Sequence, residues 1–156
     1  MFKLAIVFIS FWMISCTNQI DTIGKLDQNF EHVYFDTVEK EITFNANTPN
    51  QLKNYINQWF ENEIKVNGFS GILKVQIENY FQKEELILNG KKVSMTLDVL
   101  IIIEKPELNS TKKIKINLEE FGSISGNYSI NEYERVVDNT MLNLIIRLSQ
   151  DLKNRI

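Results

Sequence analysis

One cysteine, one histidine, two prolines and six glycines stand among 156 residues, and each scarcity removes a class of explanation. A lone cysteine, Cys16, forms no intramolecular disulfide and no cysteine-cluster metal site. A lone histidine, His32, would have to supply any triad or His-based metal site by itself, from a poorly patterned segment ahead of the first strand. The few glycines include no phosphate cradle: Gly68-Phe69-Ser70-Gly71 follows a helical pattern, whereas phosphate loops precede a helix. The 17 Lys and Arg against 20 Asp and Glu leave a net charge of −3, and no stretch gathers the cations, which excludes the electrostatic footprint of a nucleic-acid binder. The adjacent carboxylates Glu84-Glu85 and Glu119-Glu120 fall in strand patterns, where neighbours point to opposite faces and make poor acid–base pairs. The inventory therefore argues against an enzyme and offers neither catalytic residues nor a metal or cofactor site.

What is present begins at the N-terminus. Lys3 is the only charge before Asp21, and the intervening run Leu4–Ile9 and Phe11–Ile14 is apolar apart from Ser10. Such a run is shorter than the ~20 residues that cross a bilayer as a helix, and it lacks the polar face of a buried amphipathic helix. The ending Met13-Ile14-Ser15-Cys16 resembles the lipobox of bacterial lipoprotein signal peptides, with Met13 where Leu is usual. That resemblance implies that Cys16 carries the acyl chains (palmitate among them) and becomes the first mature residue. The expected organisation is a lipoprotein signal peptide at 1–15, the lipidated cysteine and a flexible tether at 16–30, and a single αβ domain at 31–156.

Periodicity orders that domain as β-α-β-β-β-α. Val38 to Phe44 alternates as a first strand, with Lys40 weakening its apolar face. Thr48-Pro49-Asn50-Gln51 reads as a capping box opening a helix. The stripe Leu52, Ile56, Trp59, Phe60 and Ile64 follows at helical spacing, with Gly68 as its stop. Leu73 to Leu88 alternates next, and Asn89-Gly90 is the dipeptide of a type I′ hairpin. Val93 to Ile103 forms an unbroken apolar face, and Leu100 and Ile102 add a second one, so this end is central or docked. Pro106 and Asn109-Ser110 mark a loop. Ile114, Ile116 and Leu118 resume the alternation until Glu119-Glu120-Phe121-Gly122, where a bulge is expected. Ser129 with Glu132 forms a second capping box, stapled by Tyr128 and Tyr133, ahead of a long helix. Its stripe runs Tyr133, Val137, Met141 (or Thr140), Leu144, Leu148, Leu152. The fold class is α+β: a small, mostly antiparallel four-stranded sheet with two amphipathic helices on one face.

Lys91 and Lys92 flank the hairpin, and Lys112 and Lys113 flank the next loop, which a meander places at opposite ends of the sheet. They read first as edge lysines that discourage strand pairing. The sharper reading makes them, with Leu100 and Ile102, contacts for acidic lipid headgroups or a partner.

A lipobox, a short tether and a β-α-β-β-β-α domain resemble the LPS-assembly lipoprotein family, LptE. The segment Ser125-Gly126-Asn127-Tyr128-Ser129-Ile130 leads into a terminal helix much as a small-residue-plus-Tyr segment does there, and Pro49 to Pro106 fits its helix-then-hairpin portion. The resemblance implies a lipid-anchored protein on the periplasmic face of the outer membrane that plugs and helps assemble a β-barrel LPS translocon, with lipopolysaccharide itself a further contact. The alternatives are an accessory lipoprotein of an envelope ABC transporter for lipid-type substrates and a periplasmic protein-binding module. Thr17 after the cysteine, in place of the Asp of enteric inner-membrane retention, favours the outer membrane.

Overall fold

The computed structural model describes residues 31–156; the expected signal peptide, Cys16 and the expected tether lie outside the described residues. Along the chain come β1 (Val33–Phe35), β2 (Glu39–Phe44), α1 (Asn50–Glu63), β3 (Ile64–Val66), β4 (Ile72–Ile87), β5 (Gly90–Lys105), β6 (Ser110–Ser125) and α2 (Ile130–Lys153). The main sheet has the order β2-β4-β5-β6. β2 lies parallel to β4, and β4, β5 and β6 form the antiparallel meander that their alternation predicts. The fold is thus α+β, with one parallel pair in a mostly antiparallel sheet.

One face of the sheet makes the core. On β5 the inward residues Val93, Met95, Leu97, Val99 and Ile101 are fully buried, each worth roughly 1.5–3 kcal/mol relative to exposure. Leu52, Ile56, Trp59 and Phe60 of α1 and Met141, Leu144, Ile145, Leu148 and Leu152 of α2 join them in one cluster. Trp59 is core, as its stripe position indicates. The helices descend side by side in the same direction: Gln51 near the start of α1 bonds Asp138, while Glu63 at its end meets Ser149 and Lys153 of α2.

Several local expectations change. α1 stops at Glu63 rather than at Gly68, because Ile64–Val66 turns into a strand that pairs in parallel with β1, a pairing unmarked in the sequence. Lys40 caps this end. Its ammonium donates to the carbonyls of Phe60 and Ile64 at 3.0 and 3.1 Å, supplying a cation where the helix dipole is negative. The capping box at Thr48 does not form. Pro49 is the N-cap residue and offers no side-chain acceptor, the Thr48 hydroxyl is buried without a partner, and Gln51 reaches α2 instead. The capping box of Ser129 and Glu132 does form, and the Tyr128 and Tyr133 rings of its staple lie 6.3 Å apart.

The hairpin also differs. Ile87 pairs with Gly90, so Leu88 and Asn89 form the turn, and only Asn89 takes positive φ, +62°. Gly90 serves a close approach: a Cβ there would sit 2.0 Å from the Ile124 carbonyl oxygen. No bulge interrupts β6, whose register with β5 is continuous from Ser110 to Ser125; the irregularity lies in β4, between Ile77 and Asn79. Glu120 and Gly122 look out of phase because both point toward α2. Glu120 is neutralised by Arg147 at 2.6 Å, and Gly122 leaves room for Val136 and Thr140.

Candidate docking surface

With both helices on one face, the other face of the sheet is open and mixed polar. At mid-height Asp98 accepts hydrogen bonds from Asn117 at 2.6 Å and Asn79 at 3.0 Å, tying β4, β5 and β6 across their outer surface. These bonds, Asn117 first, hold its carboxyl below the usual aspartate range. Asp98 is thus a cross-strand tie. Lys74 meets Glu104 at 2.9 Å and Lys115 meets Glu78 at 3.4 Å on the same face.

Leu100 and Ile102 lie on this outer face, centrally in the sheet. Ile102 is only 8% exposed and Leu100 half-buried. The cross-strand partners of Ile102 are Lys74 and Lys113, and lysine stems at cross-strand distance cover apolar surface while their ammonium groups stay in water. Neither residue is an open anchor.

The lysines separate as the meander requires. Lys91 and Lys92 sit at the β4–β5 hairpin, and Lys112 and Lys113 at the β5–β6 turn. Ten residues of β5 part the levels of Lys92 and Lys113, about 33 Å at the strand rise. Lys91 is engaged: its ammonium lies 2.9 Å from Glu84 and 4.7 Å from the centre of the Tyr133 ring. The Tyr133 hydroxyl donates to the same carboxylate, and this bond, then the one from Lys91, lowers the Glu84 carboxyl below its ordinary range. Burial, followed by the Glu84 contact, pushes the Tyr133 phenol up. Lys92 lies over the exposed Phe121 ring at 4.7 Å. Lys112 and Lys113 are exposed and make no ion pair among the described residues.

The exposed apolar surface is concentrated elsewhere. Leu86 and Leu88 at the hairpin tip are 86% and 92% exposed, and Ile130 at the start of α2 is also exposed. The Gly126 N–H donates to the Asn89 carbonyl at 2.7 Å, which brings the β6–α2 connection against this tip. Phe81 and Phe121 extend the exposed apolar surface along the outer face, one level apart on either side of β5. Below the tip, Lys83 pairs with Glu85 and Lys91 with Glu84, while Lys92 makes no ion pair among the described residues. The apolar run Leu86-Ile87-Leu88, set directly against a turn, was a signal for this tip: no helix reaches that far along the hairpin to bury it. At the other end, Phe69 is wholly exposed in the loop between β3 and β4.

Among the described residues no cluster of three or more His, Cys, Asp or Glu is placed to hold a metal, and no helix is long and apolar enough to cross a membrane. His32 is exposed and stacks edge-on against Tyr34.

No family model matches the chain, and no curated protein matches it in sequence. Solved structures do. The fold is similar to that of a minor lipoprotein from Acinetobacter baumannii, with a TM-score of 0.53 and 13% identity over 75% of this chain and 92% of that one. Weaker matches are a rare lipoprotein B from Shewanella oneidensis (TM-score 0.45, 8% identity, 76% and 96% of the two chains) and a lipoprotein B from Nitrosomonas europaea (0.48, 8%, 83% and 90%). At these identities the likeness is one of fold: a two-layer α+β domain of a kind that occurs in a bacterial lipoprotein.

Proposed function

We propose that this chain is a non-enzymatic envelope lipoprotein, held to the outer membrane by acyl chains on Cys16, that docks on a β-barrel translocon in the manner of the LPS-assembly family. The observation that carries the docking role is the hairpin tip: Leu86 and Leu88 are almost fully exposed on a finger formed by the ends of three hydrogen-bonded strands, β4, β5 and β6, with Lys83–Glu85 and Lys91–Glu84 ion pairs beside it. Exposed apolar residues on such a support are what an interface core uses, since the finger loses little freedom on binding. The lipobox-like Met13 to Cys16 and the fold shared with the Acinetobacter lipoprotein support anchoring.

The test is affinity capture of the native protein from solubilised envelopes, paired with depletion. Recovery of a large β-barrel, with loss of surface lipopolysaccharide on depletion, is the expected result. Recovery of an inner-membrane permease instead would move the assignment to an ABC-transporter accessory. Recovery of neither, with normal surface lipopolysaccharide, refutes the proposal.

A further inference from the structure

The end of the sheet opposite the finger carries a second apolar feature. β2 and β4 begin there and β5 ends there, so three connections share one end: Asp36–Val38, Asn67–Gly71 and Pro106–Asn109. Each presents an apolar side chain. Phe69 is 100% exposed, Leu108 69% and Val38 53%. Val38, Phe69 and Pro106 line a shared open depression of about 420 Å³. The loops are fastened to one another: the Val38 N–H donates to the Gly71 carbonyl at 3.1 Å, and the Lys105 ammonium pairs with Asp36. The three apolar side chains thus cluster at one end of the sheet. Lys112 and Lys113 stand beside them with no ion pair among the described residues, and Glu39 and Glu107 line the depression.

We infer that, in the absence of a partner, this end rests on the bilayer, with Phe69, Leu108 and Val38 at the headgroup–acyl boundary and Lys112 and Lys113 toward lipid phosphates. The inference rests on the anchored reading above. Chain length selects the occupant. Fourteen residues separate Cys16 from Glu31, and Glu31 stands only seven residues before Val38. At full extension fourteen residues reach at most about 50 Å, which is also about the length of the 16-residue strands. An acyl anchor therefore holds this end against the bilayer over a wide range of tether paths, and the finger only at the limit of reach. Shallow insertion of Phe and Leu flanked by Lys is the chemistry of interfacial attachment.

The test uses the mature lipidated chain in vesicles of phosphatidylethanolamine and phosphatidylglycerol with acyl-brominated lipid as quencher. The variants Phe69→Trp and Leu88→Trp report the two ends; both sites are exposed, so the fold tolerates either change, and the native Trp59 is buried in the protein core. The expected result is loss of most of the added F69W emission, with its maximum shifted to the blue, and an unchanged L88W signal. Quenching of L88W alone, or of both alike, overturns the orientation. Quenching of neither, while the protein still floats with the vesicles, overturns the seat and leaves the anchor standing. Failure of both variants to float refutes the anchored reading and the seat with it.

Discussion

The Glu63 carboxylate, fully buried at the last residue of α1, lies 3.2 Å from the Lys153 ammonium in the last turn of α2. It also accepts a hydrogen bond from Ser149, while its Oε2 has no protein partner. The pair links the two helices at their ends, where a carboxylate at the C-terminus of α1 opposes the helix dipole. Because Lys153 is partly exposed and Glu63 is not, removing the lysine strands a buried charge. Lys153→Met is expected to destabilise the fold by about 2 kcal/mol, below the roughly 3–5 kcal/mol of a fully buried pair because water reaches the lysine. The double change Glu63→Leu with Lys153→Met should recover most of that loss in urea unfolding. If both variants lose the same amount, the pair is not what the charge at Glu63 depends on.

Gly122 tests the closeness of α2 to the sheet. A Cβ added there would meet Thr140 Oγ1 at 2.4 Å and Val136 Cγ1 at 2.7 Å. Those atoms are side-chain ends, but Thr140 is buried and its hydroxyl donates to the Val136 carbonyl, so neither yields freely. Gly122→Ala should therefore cost about 1–2 kcal/mol, and adding Val136→Ala should restore part of it. A neutral Gly122→Ala would mean the helix shifts without cost.

Two capping boxes can be read in this chain, and one exists. Ser129 and Glu132 satisfy each other's backbone, and the Ser129 N–H to Glu132 contact is 2.7 Å. Thr48 has the same sequence signature, but its residue is drawn into the core and its N–H is committed to a turn with Asn45. Ser129→Ala is expected to cost about 1 kcal/mol. Thr48→Val should be neutral or stabilising, because it replaces a buried hydroxyl without a partner by an isosteric methyl. Thermal unfolding of the two variants gives the contrast directly, and equal losses would contradict it.

The same logic separates what was legible elsewhere. Elements whose alternation is set by one buried face, namely the meander and both helical stripes, follow from period alone, because a one-residue slip would expose the whole face. Lys40 seemed a flaw in β2 and Glu120 with Gly122 a bulge in β6, because each inward polar or small residue is justified by a helix end or helix backbone distant in sequence. β1 and β3 are three residues each and pair across the length of α1, too short to show a period. Leu100 and Ile102 read as a docking face because sequence does not reveal that lysine stems on neighbouring strands flank them. The finger tip and Phe69 were visible as residues, but their exposure depends on where the helices stop.

Asp98 predicts an acid response. Its folded carboxyl is held below the ordinary value, which is near 3.9, by Asn117 and then Asn79. The folded state therefore binds its proton less readily than the unfolded chain. The corresponding stability is complete above that ordinary value and is lost as pH falls through it toward the depressed folded value. Asp98→Asn should flatten the fall of the urea midpoint below about pH 4 relative to the parent chain. An acid limb of unchanged slope would assign the effect to other carboxylates, such as Glu84 and Glu132, whose values are lowered as well.

The docking role attributed to the finger can be separated from folding. Leu86 and Leu88 contribute almost nothing to the core, since both remain exposed in the free domain. Leu86→Asp with Leu88→Asp should leave the urea midpoint within about 0.5 kcal/mol of the parent. An apolar anchor lost from an interface core, with a carboxylate left to be desolvated in its place, costs about 2 kcal/mol or more, roughly thirtyfold in affinity. Capture of the barrel from solubilised envelopes should fall accordingly. Lys112→Glu with Lys113→Glu, at the far end of the sheet, supplies the control and should leave capture intact. If the lysine pair abolishes capture while the leucine pair does not, the partner grips the opposite end, and the finger must be explained in some other way.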